Sequence, residues 1–312
     1  MSAQSGTREL RFATLAPEGT PWTRALHRWD REIRERTSGR VGLRLYTGGA
    51  QGQEPVVIDK MSAGQLDGAA LTTTGLGQIV RPVTVLGIAS VVGDYEGLDR
   101  VRRRMRGRFR RLFSRAGYSL VGWGDVGRAR LFSRRRIQRP REMRSARVWA
   151  PRSDESFTTF LDVVGVQPRR LGVPEVYPAL QTGMVDTLAA SALAVVALQW
   201  HRRLRYVSSE HAGVLVGASV FREEALESLS EDDRRIVERA GRAIGRRAQR
   251  AVRRADEDAM RALSRRLQTV DTEPFRAEWE RAGEETVRRL TGRVFSERLL
   301  AEVIRASAPE DP

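Results

Sequence analysis

At 312 residues the chain is long enough for two domains and for a core that needs no covalent staples. It has no cysteine, which excludes disulfides, thiolate metal sites, iron–sulfur clusters and cysteine nucleophiles. Forty per cent hydrophobic and 30% charged residues describe a globular chain, and a net charge of +16 raises the question of an acidic partner.

Residues 9–16 alternate and end at Pro17, a strand running into a loop. Thr20-Pro21-Trp22 opens a helix with Thr20 as N-cap, an apolar stripe of Ala25, Leu26, Trp29 and Ile33, and a stop at Ser38-Gly39. A strand over 41–46, a helix over 54–62 and a short strand over 66–73 complete a β-α-β-α-β rhythm, the mark of an α/β layer. Residues 96–116 carry Leu98, Val101, Met105, Phe109, Leu112 and Phe113 at steps of three and four, one helix face. Strands are expected over 118–123, 128–132 and 146–150, then helices over 153–164 and 174–183. An apolar helix over 191–203, strands over 205–208 and 214–221, a long charge-balanced helix over 230–267 and two more helices finish the chain. With no repeats and no low-complexity linker, the domains are expected to be interleaved.

The charge is uneven. From Arg100 to Arg147 there are 18 arginines against Asp125 and Glu142, a net +16; the other 37 basic and 37 acidic residues cancel. Lys60 is the single lysine and asparagine is absent, so a GC-rich genome accounts for the choice of arginine. Phe109 and Phe113 lie on the apolar stripe and not among the arginines, which leaves a nucleic-acid surface without stacking platforms. The longest apolar run, Leu188 to Leu198, is about half of a bilayer span. Residues 1–8 lack the apolar core of a signal peptide.

No motif for catalysis stands up. Gly122-Trp-Gly-Asp-Val-Gly127 spells the dinucleotide fingerprint, but an alternating strand-like stretch follows where a helix should start. Close backbone approach in a β segment explains these glycines better. His27, His201 and His211 have no metal-ligand spacing, and no nucleophile elbow is present.

Residues 133–207 decide the reading. Ser133-Arg-Arg-Arg-Ile137, Pro140 through Trp149, and Val173-Pro-Glu-Val-Tyr-Pro-Ala-Leu-Gln-Thr-Gly-Met-Val-Asp186 resemble a TRAP-transporter solute-binding protein of the dicarboxylate-binding, DctP-like type. Leu10-Arg-Phe-Ala13, Gly19-Thr-Pro-Trp22, Ser38-Gly-Arg40, Gly48-Gly49 and Leu66-Asp67 match the opening of that family in order and spacing. The resemblance implies an α/β, two-lobed periplasmic binding protein fold with crossing hinge strands and long C-terminal helices. It implies lobe I over 8–124 plus 213–252 and lobe II over 125–212 plus 253–306, with the ligand cleft between. It further implies periplasmic location with the signal segment absent from this chain, delivery to TRAP membrane permease subunits, and no catalysis, cofactor or metal. The apolar Leu188–Trp200 stretch resembles the branch that works with a periplasmic tetratricopeptide-repeat protein.

The same resemblance places the ligand contacts, and the residues found there depart from it. The carboxylate-gripping arginine falls at Trp149, a second arginine at Ala129, a polar contact at Leu15, an acidic one at Thr72, an aromatic platform at Val173, and the asparagine after Asp186 at Ala190. Trp22, Thr73, Thr74, Trp123, Tyr177 and Ser191 complete the candidate set. So many apolar replacements disfavour a buried carboxylate, which would lack a paired cation. The expectation is therefore a hydrophobic or amphiphilic small molecule. The alternatives are a carboxylate binder with a shifted anchor, and a basic module that binds nucleic acid or acidic surfaces through 100–147.

Overall fold

The computed structural model describes residues 7–88 and 90–309, so residues 1–6, where a leader was sought, lie outside it. The first lobe opens with β1 (Arg8–Thr14), α1 (Pro21–Arg36), β2 (Val41–Tyr46), α2 (Glu54–Ser62), β3 (Gly68–Thr72), α3 (Thr73–Ile79), α4 (Tyr95–Arg104), α5 (Arg106–Arg115) and β4 (Tyr118–Arg128). The chain then crosses into the second lobe. There it forms β5 (Arg130–Ser133), β6 (Trp149–Ala150), α6 (Glu155–Val163), β7 (Arg169–Arg170), α7 (Val173–Thr182), β8 (Thr187–Ala190), α8 (Ala192–Ala197) and β9 (Tyr206–Ser208). It returns through β10 (Val214–Arg222), α9 (Glu223–Glu227) and the 33-residue α10 (Glu231–Leu263), and ends with β11 (Gln268–Val270), α11 (Arg276–Leu290) and α12 (Glu297–Ser307).

One sheet has the order β2-β1-β3-β10-β4, with β1 to β3 parallel and β10 antiparallel to both neighbours. The other has the order β11-β9-β5-β8, with β5 antiparallel to both neighbours, and the β6-β7 pair joins it through a Val148–Thr187 bridge. Each crossing thus gives the sheet it enters its antiparallel strand. Helices cover both faces of each sheet, the arrangement expected from the α/β rhythm.

Local signals explain most elements. The Thr20 side chain caps α1 by accepting from Thr23 N, and Leu26, Trp29 and Ile33 turn inward. Trp29 meets Phe12 and Phe221 edge-on and donates to the Val237 carbonyl at 3.0 Å, which ties α1 to α10. At Gly241 a Cβ would lie 2.5 Å from Val121, so α10 packs on β4 only because that residue is glycine.

Several boundaries differ from expectation. The helix over 96–116 is two helices, because Met105 leaves helical geometry (φ −103°, ψ 12°) while keeping its side chain inward. The helix over 191–203 stops after Ala197, since Gln199 sits at φ +59° and restarts the chain as a short 3-10 turn. The strand expected over 146–150 is confined to Trp149–Ala150. Two expected strands over 118–132 are one long β4 and a short β5, separated at Ala129. The C-terminal α12 packs on α4, with Leu299, Val303 and Ala306 in the first-lobe core, although the sequence placed residues to 306 in the second lobe.

The crossing itself is pinned. Ala129 N donates to Gly213 O at 2.9 Å, and Ala212 N donates to Ala129 O at 2.8 Å, so the two crossing segments hold each other. Asp256 on α10 accepts from Arg128 N and from Leu193 N, both at 2.9 Å. Gly127, at φ +133°, leaves room for this: a Cβ there would lie 2.4 Å from Ser191 Cβ and 2.7 Å from Asp256 Oδ1. The GxGxxG spelling is therefore backbone packing within a strand. Gly127→Ala is expected to lower stability by about 2 kcal/mol or more, through strain and clash together. Gly124→Ala, whose Cβ would meet nothing nearer than 3.8 Å, should stay within about 0.5 kcal/mol. Urea unfolding midpoints compare the two.

Candidate functional site

The carboxyl ends of the parallel strands β1 and β3 open into loops at the cleft, the usual ligand position in open α/β sheets. Between the lobes lies a cavity of about 860 Å³. Its first-lobe wall is built by Leu15 after β1, Trp22 on α1, Thr72–Thr74 where β3 meets α3, and Trp123 on β4. Ala129 sits at the crossing, and Trp149, Val173, Ala190 and Ser191 form the second-lobe wall. Of the candidate residues Tyr177 alone falls outside this lining: with Pro174 and Gln199 it lines a smaller depression that shares Leu15 and Val173 with the main cavity.

The aromatic walls are fixed by their polar edges. Trp22 Nε1 donates to the Asp125 carbonyl at 2.9 Å, and Trp123 stands edge-on to Phe109 with the Arg102 guanidinium over its ring. Trp149 is buried, packs edge-on against Trp200 at 5.3 Å and donates to the Leu171 carbonyl at 2.9 Å. It belongs to the second-lobe core as well as to the cleft. Arg147 faces away, with its guanidinium 3.2 Å from Asp186.

Charged groups that the sequence reading did not single out for the site also line the cavity. Glu54 accepts from Thr72 N at 2.6 Å and from Thr72 Oγ1 at 2.8 Å, and burial pushes its carboxyl up from the ordinary range. Asp154 caps α6 through Phe157 N at 2.9 Å and accepts from Thr74 Oγ1 of the other lobe at 3.4 Å; burial raises it too. Arg130, the first residue of β5, is half-buried and donates from Nη1 to the Ser208 and Ser209 carbonyls. Burial lowers its pKa, yet an arginine stays charged near neutrality. Among the described residues no carboxylate forms an ion pair with it. His211 lies at the same end; burial and then Arg128 and Arg130 hold it below its ordinary value, and its Nδ1 is buried without a partner.

The rim is bridged between lobes. Arg81 forms a two-pronged pair with Glu155 at 2.6 and 3.0 Å, and Gln53 Nε2 donates to Glu175 at 3.2 Å, where Arg152 also binds at 2.9 Å.

Residues 12–293 match the family DctP, bacterial extracellular solute-binding protein, family 7. The chain belongs to that family. A solute-binding protein from Chromohalobacter salexigens is 23% identical to this DctP-family protein over 228 residues, which is 72% of this chain and 68% of the relative. A TRAP periplasmic solute-binding protein from Shewanella oneidensis with bound succinate has a TM-score of 0.90 at 15% identity, covering 97% of this chain and all of its own. One from Roseobacter denitrificans with bound β-D-glucuronate has a TM-score of 0.83 at 19% identity, covering 95% of this chain and 99% of its own. One from Desulfovibrio salexigens with bound orotic acid has a TM-score of 0.87 at 17% identity, with coverage of 96% and 99%. By its family the protein is thus a bacterial extracellular solute-binding protein and not an enzyme.

Those bound acids overturn the expectation of a hydrophobic or amphiphilic ligand. Arg130 stands one position beyond Ala129, at the start of β5 and on the lining of the cavity. An arginine among otherwise apolar and small residues of a short strand was the available signal. Glu54 gave none, because a glutamate in the first turn of a helix reads as a response to the helix dipole.

Two outcomes follow from the geometry. Trp149→Ala should cost about 3–5 kcal/mol of stability, as a buried aromatic in a lobe core does, and thermal or urea unfolding reads it. Arg81→Gln should raise the ligand off-rate in stopped flow by less than about ten-fold, and high salt should reproduce the effect in the parent, since exposed pairs are weak and screened.

Proposed function

We propose that this protein captures a small organic acid between its lobes and delivers it to the membrane permease of a TRAP-type transporter, with Arg130 as the carboxylate anchor. Arg130 carries the reading. A half-buried guanidinium, oriented by two backbone carbonyls, has no carboxylate in ion-pair contact among the described residues; Asp256 and Glu210 favour its charge only from a distance, so a direct counter-charge is missing. A ligand carboxylate supplies it through the bidentate geometry that guanidinium favours. The relatives with bound succinate, glucuronate and orotic acid support an acid as the cargo class. Neutral His211 and the hydroxyls of Thr73 and Thr74 are positioned to bond the ligand's remaining oxygens, and Trp22, Trp123 and Trp149 supply apolar faces. Arg152 is a poorer anchor, because Glu175 already occupies it.

The tetratricopeptide-repeat partner loses its support in the fold. The Leu188–Trp200 stretch is apolar because β8, α8 and the turn at Trp200 fill the second-lobe core: Leu188, Ala192, Val195 and Trp200 are all buried.

Isothermal titration with succinate, glucuronate, galacturonate, pantoate and orotate tests the proposal. At least one acid should bind while its amide does not, and Arg130→Gln should weaken it by about thirty-fold or more, as loss of one member of a desolvated charge pair does. Equal binding of acid and amide, or an unaffected Arg130→Gln variant, would remove the anchor.

A further inference from the structure

The excess of arginine was left unexplained by the ligand site, and α5 concentrates it. This helix, Arg-Gly-Arg-Phe-Arg-Arg-Leu-Phe-Ser-Arg, contains five arginines and no acid. Arg108 pairs with Glu302, but Arg106, Arg110, Arg111 and Arg115 are exposed and form no ion pair among the described residues. Other helices pair several of their arginines along their own length: Arg234 and Arg242 with Glu238, Arg288 and Arg289 with Glu285, Arg298 with Glu302. Codon preference exchanges lysine for arginine; it does not strip the acids from one helix. Arg106 also opens the helix, where a positive charge opposes the macrodipole.

We propose that the exposed face of α5 docks on an anionic lipid surface, holding the first lobe at the membrane. The chemistry favours phospholipid headgroups over a protein. Guanidinium groups bind phosphate oxygens in pairs. The aromatic residues of the helix, Phe109 and Phe113, are fully buried, so the face offers neither the anchors of a protein hot spot nor platforms for nucleobases. No residue of α5 lines the cleft, so a docked lobe still closes on its ligand.

The experiment is co-sedimentation with vesicles of phosphatidylglycerol and phosphatidylcholine against phosphatidylcholine alone. The protein should pellet only with the anionic vesicles, and 0.5 M salt should release it. Each arginine near such a surface is worth about five-fold in partitioning, so replacing Arg106, Arg110, Arg111 and Arg115 with Gln together should weaken binding by more than about a hundred-fold. A charge-matched variant at the exposed Arg136, Arg141, Arg169 and Arg170 should lose far less, and unfolding midpoints of both variants should equal the parent's. Equal losses in the two variants would reduce the effect to net charge and overturn the proposal. So would absence of binding to anionic vesicles, or binding that requires an acidic protein.

Discussion

Everything in this molecule passes through the junction at residues 127–130. The first sheet ends there, the second begins, and the returning segment at 212–213 bonds back to Ala129 from both sides. A carboxylate on the bracing helix, Asp256, holds the backbone of the crossing strand and the start of α8 at once. That carboxyl is pushed up by burial and drawn back first by the two backbone N–H groups and then by the Arg130 and Arg128 charges, so hydrogen bonds and nearby cations together keep it in place. Because the same residues border the cleft, the hinge and the floor of the binding site are one structure. Movement of the lobes cannot leave Ala129, Arg130 or Ser191 unaffected.

Next to the junction lies a balanced charge network. Asp125, fully buried, receives Arg102 and Arg253 at 2.6 Å each, and Arg253 also grips Asp99 through two contacts of 2.7 Å. The Tyr95 ring lies beneath Arg253 and Arg128, with burial raising its hydroxyl. Two cations and two carboxylates join α4, β4 and α10 in a region too polar to pack as ordinary core. Such a network adds little net stability against an apolar equivalent, but it fixes one arrangement of its parts. Here the arrangement matters to the site, because the Asp125 carbonyl holds the Trp22 indole on the cleft wall. The local arginine excess of the sequence is therefore spread over different settings: paired and buried at Arg102, lining the cavity at Arg130, and exposed on α5.

The fold was legible because its signals are local and periodic. Thr20-Pro21 announces a helix, the 96–113 stripe announces a buried face, and the blocks around Pro174–Asp186 carry a family resemblance that needs no geometry. The details that sequence misread depend on single dihedrals or on offsets of one residue. Met105 and Gln199 break helices without a proline or glycine to announce it. Trp149 lines the cavity and also packs in the second-lobe core, and periodicity cannot separate these two uses. The ligand chemistry failed for a sharper reason. Counting replaced contacts treats a binding site as fixed positions, whereas a guanidinium reaches several ångströms from its Cα and can serve the same space from the next residue.

That reach also bears on how the lobes close. A ligand moves an equilibrium between open and closed forms only by its different affinity for them. The rim contacts join the lobes, but Arg81–Glu155 is solvent-exposed and Gln53–Glu175 only part-buried, so they register closure more than they drive it. Arg130 is placed differently: it belongs to the second lobe, its guanidinium is fixed by the carbonyls of Ser208 and Ser209 just before the returning crossing, and the indoles of Trp22 and Trp123 line the facing wall of the same cavity. An anion seated on Arg130 neutralises a charge that closure would otherwise strip of water. In the empty protein that desolvation opposes closing, and in the loaded one the opposition is gone. With Arg130 as the proposed anchor, the cation beside the hinge would make closure conditional on cargo, with the aromatic walls adding buried surface once the charge is matched.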